Sequence, residues 1–279
     1  MCRLRKALYG LKQAARACYW KLPETLERAM FEACEANECP CKRVRPVGDF
    51  CLILINVDDL LVAGPTVDAA QAGQAVITTA FKSKTMGEPA YFFSIHIERN
   101  GGARATRVHQ RQDISSLMRR FGLEEANPVH LLMGAGAHLS KVGRYLDADL
   151  TELYQELIGS PLYLSTNTRP DINFAAGRLT QHVAARTKEH LAAGKVVFRY
   201  LKGSAELRLC FSAAGELTGF CDAEFAADRD KRRSTSAMVI LCGGAAVALG
   251  SNLQPSVAAS TTKAAYIAAS GAAKESMWL

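Results

Sequence analysis

The chain has 279 residues, of which 49% are hydrophobic and 22% charged, and this composition excludes wholesale disorder and allows two domains with cores. Its 34 basic and 27 acidic residues leave a formal charge of +7, which favours a polyanionic partner over an acidic substrate pocket in this protein. No apolar stretch is long enough to span a bilayer, and the nine cysteines, several inside apolar runs, favour an intracellular compartment, cytoplasmic or nuclear.

Near the amino terminus, the spacing of apolar residues predicts a helix over residues 11–35, interrupted at Pro23. Two β-branched apolar runs, 50–57 and 60–63, then flank Asp58 and Asp59. Short buried runs around a polar pair predict a tight β-hairpin with two carboxylates at its tip. Two such charges repel unless solvent or a divalent cation offsets the repulsion, so an ordinary solvated turn and a metal site both stay open.

The middle of the chain alternates between short strands and helices. An Ala-rich helix is predicted over 68–81, a strand over 91–99, and a hairpin turn at Asn100-Gly101-Gly102 with its return strand over 104–109. A helix is predicted over residues 110–122, with Gly122 at its end. Its expected buried stripe consists of Ile114, Leu117, Met118 and Phe121.

The second half predicts helices followed by a run of strands. Residues 128–149 fit a linker, 150–164 and 172–183 a helical pair bent at Arg169-Pro170, and 188–201 a third helix. Four strands are expected, over 207–211, 217–221, 237–242 and 245–249, before a helix over 261–279. The predicted class is therefore α+β.

Five motifs in a fixed order resemble the polymerase polyprotein of copia-type long-terminal-repeat retrotransposons. They are Ala-Leu-Tyr-Gly-Leu-Lys-Gln-Ala-Ala-Arg (7–16), Asn-Val-Asp-Asp (56–59), Thr-Arg-Pro-Asp-Ile (168–172), Arg-Tyr-Leu-Lys-Gly (199–203), and Asp-Ala-Glu-Phe-Ala (222–226) with Arg-Arg-Ser-Thr-Ser (232–236). The resemblance implies a partial reverse transcriptase palm and thumb over 1–127, without fingers and first palm strand. A linker and helical connection over 128–206 and a carboxyl-terminally truncated ribonuclease H-like domain over 207–279 would follow.

For the polymerase half, the resemblance implies catalysis by two Mg²⁺ ions, with Asp58 and Asp59 as catalytic metal ligands. A further aspartate from an earlier palm strand would lie before the first motif, so we expect an upstream segment to be needed, in the same chain or in trans. Asn56 replaces the family's tyrosine and removes an aromatic ring near the primer end.

The first motif contributes candidate nucleotide and template contacts, namely Lys12, Gln13 and Arg16. A basic helix start that faces water explains the same residues equally well.

For the ribonuclease H half, Asp222 matches the first catalytic, metal-binding carboxylate. Ala265 stands where the family has a glutamate, and Lys263 adds a positive charge nearby. Alanine cannot ligate a cation, and an ammonium would repel one. Leu249 stands where the family has a tryptophan, which could leave the core underfilled.

The family activities are RNA-directed DNA synthesis and cleavage of RNA in RNA–DNA hybrids, with Mg²⁺ as cofactor and template-primer or hybrid as partner. We expect this chain alone to catalyse neither reaction, as a pseudoenzyme. Two alternatives stay open: a non-catalytic nucleic-acid-binding remnant, and a translated pseudogene without a role.

Overall fold

A computed structural model of the chain describes residues 21–34, 37–44, 50–56, 59–102, 104–133, 139, 143, 145–184, 186–213, 215–228 and 230–279. The chain divides into two compact units, Met1–Pro89 and Ala90–Leu279, and each is described by itself below. No helix among the residues that the structure describes is both long and apolar enough to cross a bilayer.

The first unit combines two helices with one antiparallel sheet of strand order β1-β2-β3-β4. Its elements are α1 (described over 21–28), β1 (Glu32–Cys34), β2 (Asn37–Val44), β3 (Phe50–Asn56), β4 (Asp59–Ala63) and α2 (Val67–Ala80). The hairpin predicted from the two apolar runs is confirmed, because β3 and β4 pair antiparallel from Leu52↔Ala63 to Asn56↔Asp59.

One face of β3 belongs to the core of this unit. Cys51, Ile53 and Ile55 are buried together with Leu22, Leu26, Phe31, Cys41 and Ile77. The alternate residues Phe50, Leu52 and Leu54 are 37 to 40% exposed, although they are equally apolar. The expectation that the whole run is buried was therefore wrong for one face, since strand side chains alternate between faces.

The helix predicted over 11–35 ends earlier than expected. Residues 21–28 are helical through Pro23, and β1 begins at Glu32. Two backbone hydrogen bonds close the helix, from the Phe31 amide to the Leu26 carbonyl at 2.9 Å and from the Met30 amide to the Glu27 carbonyl at 2.9 Å. This is a Schellman stop with Met30 in the left-handed region, at φ 63°, where glycine is usual.

The second unit contains two antiparallel sheets and five helices among its described residues. The first sheet has the order β5-β6-β7-β8 and the second the order β11-β10-β9. The strands are β5 (Tyr91–Phe92), β6 (Ile95–Asn100), β7 (Ala105–His109), β8 (Leu209–Ser212), β9 (Thr218–Glu224), β10 (Thr235–Cys242) and β11 (Ala245–Leu253). The helices are α3 (Arg111–Arg120), α4 (Ala148–Asn167), α5 (Asn173–Thr180), α6 (Lys188–Gly203) and α7 (Thr261–Trp278). These antiparallel sheets agree with the predicted α+β class.

Two strand predictions for this unit were wrong. The strand expected over 91–99 is interrupted by a two-residue turn at Phe93 and Ser94, whose φ angles of 54° and 59° are both positive. Phe92 pairs with Ile95 across this turn. Strand β8 does not join the later strands but pairs with β7, from Ala105↔Ser212 to Val108↔Leu209.

A helical core fills the centre of the second unit. Its fully buried members come from α3, α4, α5 and α6, and include Ile114, Met118, Tyr154, Leu157, Ile158, Leu179, Val197, Phe198 and Leu201. The helix predicted over 110–122 is confirmed as α3, with Gly122 just beyond it at φ 63°. Helix α3 shares this core and therefore belongs to the second compact unit, which begins after Pro89. The division into three domains at residues 127 and 206 remains a prediction.

A buried guanidinium links the turn between α4 and α5 to the end of α6. Arg169 is 1% exposed and donates to both carboxylate oxygens of Asp171, at 2.9 and 2.7 Å. Its Nη2 also donates to Ser204 Oγ at 2.5 Å, and the guanidinium carbon lies 5.7 Å from the centre of the Tyr200 ring. The Thr-Arg-Pro-Asp-Ile motif therefore has a structural role in packing the helices.

Candidate functional site

The hairpin of the first unit positions one of its two predicted metal ligands within the described residues. Asp59 begins β4, is exposed, and pairs with Asn56 at the end of β3. Asp58 lies outside the described residues, as do Lys12, Gln13 and Arg16. A carboxylate at the end of a two-stranded element is accessible to a cation or to solvent.

Asp222 lies on β9, one of the two edge strands of the second sheet in the Ala90–Leu279 unit. The residue is exposed and sits opposite Ala237 of β10. Its Oδ1 accepts a hydrogen bond from the amide of the following residue, Ala223, at 2.7 Å. That local bond leaves the second carboxylate oxygen available to water or to a ligand.

Helix α7 follows the three-stranded sheet and packs against β9 and β10. Ser260 caps its start by accepting a hydrogen bond from the Lys263 amide, and Ala264, Ala268 and Ala272 form its buried stripe. Ala265 and Lys263 are both exposed. Residues two apart on a helix do not face each other, so the charge of Lys263 lies on a different side of α7 from position 265. The missing carboxylate at Ala265 is therefore the stronger argument against a metal site there.

A divalent metal needs several oxygen or nitrogen ligands around one point. Among the residues that the structure describes, no three His, Cys, Asp or Glu side chains are grouped so that they could hold a metal ion. Within those limits, neither Asp59 nor Asp222 lies in a set that fits a magnesium ion.

A polar cavity of about 400 Å³ in the second unit was not predicted from the sequence. It lies where β6, β7, the start of α3 and the turn before β8 meet, and its lining includes His96, Glu98, His109, Arg111, Glu206 and Arg208. These residues are up to 112 positions apart in sequence. Among them, only His96 and Glu98 could be placed together from the sequence, because residues two apart on a predicted strand lie on the same face.

A chain of ion pairs runs along this cavity. His109 Nε2 lies 3.2 Å from Glu98 Oε1, and Arg208 Nη1 donates to Glu98 Oε2 at 2.6 Å. The hydrogen bond from His109, with the charge of Arg208, lowers the pKa of Glu98 below its ordinary value. The His109 ring also stacks on His96, with centroids 5.0 Å apart and planes within 6°.

Comparison with known proteins identifies a family model and several relatives of this chain. Residues 1–134 match the family model described as "Reverse transcriptase (RNA-dependent DNA polymerase)". The Pol polyprotein from transposon TNT 1-94 of Nicotiana tabacum is 31% identical over 287 residues, covering 100% of this chain and 22% of that protein. Those from transposons RE1 and RE2 of Arabidopsis thaliana are 32% and 30% identical, each covering 100% of this chain and 19% of the relative.

The chain thus spans about a fifth of the length of these curated relatives. No solved structure matches it. The family expected from the five motifs is confirmed by matches that run the whole length of the chain. Residues 1–134 of this chain belong to the reverse transcriptase family, and the chain over its whole length is related to retrotransposon Pol polyproteins.

Proposed function

We propose that the chain is the palm–thumb, connection and ribonuclease H-like part of a copia-type Pol polyprotein, and that it does not by itself cleave RNA in hybrids. Three observations support the ribonuclease H assignment: the antiparallel β9–β10–β11 meander, the helix α7 packed on it, and Asp222 on β9. The inability to cleave is carried by one observation, the exposed methyl group of Ala265 where the family has a carboxylate.

The cleavage proposal is tested with a labelled RNA–DNA hybrid, Mg²⁺ and the full chain. Wild-type protein and D222N are expected to give the same background, because the acid set that would hold two metals is incomplete. An active ribonuclease H in parallel establishes that the substrate is cleavable. Mg²⁺-dependent cleavage by the wild type that D222N abolishes would refute the proposal.

For the polymerase half we propose the family roles for Asp58 and Asp59 as Mg²⁺ ligands, and for Lys12, Gln13 and Arg16 as template or nucleotide contacts. Two carboxylates are fewer than a two-metal site needs, so an upstream Pol segment would have to complete it. We expect no primer extension by the chain alone beyond that of D58A/D59A. Template-directed incorporation lost in this double variant would contradict the expectation.

A second proposed function is non-catalytic nucleic-acid binding, and the basic residues of α6 favour it. Lys188, Lys195, Arg199 and Lys202 recur at spacings of seven, four and three, which places them on one side of the helix. Arg199 Nε donates to the Asn127 carbonyl at 2.7 Å, and Lys202 Nζ to the Ala126 carbonyl at 3.1 Å. Lys188 and Lys195 are exposed and form no ion pair within the described residues, so they remain available to phosphates.

This function is tested by measuring affinity for an RNA–DNA hybrid at several salt concentrations. Each phosphate contact contributes about 0.9 to the slope of log affinity against log salt, so K188Q/K195Q should flatten the slope by almost two. The matched control K82Q/K84Q removes the same charge from exposed positions of the other unit. Equal slopes for both double variants, or binding that does not depend on salt, would exclude α6 as the phosphate-binding helix.

A further inference from the structure

Two guanidinium groups at the polar cavity hold the carboxylate of Glu206 between them. Arg111 makes a fork, with Nε 3.0 Å from Oε1 and Nη1 3.4 Å from Oε2 of Glu206. Arg208 adds Nη2 at 3.6 Å from Oε2. The carboxylate thus occupies a position where both of its oxygens meet cationic donors, as an anionic ligand would.

The surroundings fix one guanidinium more firmly than they fix the carboxylate. Arg208 is 31% exposed and also pairs at 2.6 Å with Glu98, another residue of the cavity lining. Glu206 is 62% exposed and lies in the turn between α6 and β8. Exposed ion pairs contribute little to stability, so Glu206 can turn out to water at low cost. Arg111 and Arg208 would then face the cavity without it.

The remaining lining is suited to oxygen-rich ligands. Gln112 and Ser115 come from the first two turns of α3, whose N-cap residue Gln110 makes no side-chain capping bond. The positive end of the helix dipole adds to the two guanidiniums, while Asp113 in the first turn offsets part of it and the Arg111 amide already donates to His109 Nδ1 at 3.3 Å. Nε2 of His96, another lining residue, is buried and has no hydrogen-bond partner among the described residues. A buried nitrogen without a hydrogen-bond partner is costly, and it adds to the polarity of this wall of the cavity.

We propose that this cavity binds a phosphate group between Arg111 and Arg208, and that Glu206 occupies the phosphate position in the free protein as an internal competitor. Guanidinium forks match the oxygens of phosphate as they match those of a carboxylate, and two of them suit its higher charge. The volume of about 400 Å³ accommodates a nucleotide-sized phosphate ester. The inference deepens the nucleic-acid-binding function proposed above, because backbone phosphate is one source of the ligand.

Calorimetric titration of the full chain with inorganic phosphate tests the competitor role. E206Q removes the competing charge and should bind phosphate more tightly than the wild type, by up to about fivefold, which is the upper limit for an exposed ion pair. E124Q is the matched control, since Glu124 forms a similar exposed pair with Arg119, at 3.3 Å, away from the cavity lining. It makes the same change in net charge and should leave phosphate affinity unchanged.

R111Q/R208Q should lose phosphate binding while keeping its circular dichroism spectrum. If that variant unfolds, the comparison of E206Q with E124Q still decides whether Glu206 competes with phosphate for the cavity. Equal affinities for E206Q and E124Q, or no phosphate binding by wild type and E206Q alike, would overturn the site.

Two further titrations identify the source of the phosphate. Adenosine monophosphate that binds at least as well as inorganic phosphate, and is displaced by it, indicates a free nucleotide. An RNA–DNA hybrid that competes with inorganic phosphate, and binds E206Q more tightly than E124Q, indicates backbone phosphate. Hybrid binding that responds to K188Q/K195Q but not to E206Q would exclude backbone phosphate as the cavity's ligand and leave α6 binding intact, so the two proposals fail separately.

Discussion

The buried pair of Arg169 and Asp171 gives the sharpest stability prediction. D171A removes the only carboxylate that contacts a guanidinium of 1% exposure within the described residues, along with two hydrogen bonds of 2.9 and 2.7 Å. Breaking a fully buried pair costs about 3–5 kcal/mol, and because Asp171 is 29% exposed we expect about 2–4 kcal/mol. Ser204 would remain as acceptor for one nitrogen only.

Removing the cation instead should cost less. R169M replaces the guanidinium by an apolar side chain of similar length and lets Asp171 hydrate, so we expect a loss of about 0–2 kcal/mol. It also deletes Nη1, which is buried without a hydrogen-bond partner among the described residues. The double variant should therefore be more stable than D171A alone.

Urea titrations followed by circular dichroism measure these differences. The transition of the Ala90–Leu279 unit is identified by its larger m-value, since m increases with the surface exposed on unfolding. A cost below 1 kcal/mol for D171A, or a double variant whose loss equals the sum of the two single losses, would refute the reasoning.

Three further predictions concern packing and titration. G73A should destabilise the first unit by about 1–3 kcal/mol, because an added Cβ would overlap Cys51 Sγ, and C51A should relieve that loss in urea titrations. Burial raises the pKa of Tyr154 to about 12, so the stability it contributes is complete below about pH 10 and lost as the pH rises to 12; Y154F should abolish this part of the alkaline unfolding curve. H109F should return the pKa of Glu98 towards its ordinary value in a carboxylate NMR titration, and an unchanged pKa would show that Arg208 alone lowers it.

The β3–β4 hairpin and helix α2 could be predicted from the sequence because their signals are local. Two apolar runs around a polar pair specify a hairpin, and an Ala-rich stretch after Gly64-Pro65 specifies a helix. The exposed face of β3 could not be predicted, since Phe50, Leu52 and Leu54 are as apolar as the buried residues between them. Which face is covered depends on where α1 and α2 pack.

The elements that were predicted wrongly lack the residues that usually mark a helix end or a turn. Met30, Phe93 and Ser94 adopt positive φ angles where glycine or asparagine would have marked a helix end or a turn. Strand β8 resembled the first strand of the later sheet, and only tertiary pairing assigns it to β7. Sequence distance concealed this, because about 100 residues separate the two strands.

The candidate sites also divide into those that local sequence motifs identify and one that only tertiary structure assembles. Asp59 and Asp222 could be found because motifs single them out, and each lies on a strand in the structure. The Arg111–Glu206–Arg208 group has no motif and is assembled from α3, a turn and the segment before β8. Ion pairs of this kind depend on tertiary structure, so no local pattern predicts them.

We infer that this chain alone does not supply enough carboxylates to hold a pair of divalent metal ions. The sharpest test is calorimetric titration of the full chain with Mn²⁺ as a Mg²⁺ surrogate, with D58A/D59A and D222N as controls. We expect no saturable two-ion binding that either variant removes. Two ions bound per molecule at one site, and lost in either variant, would refute the inference.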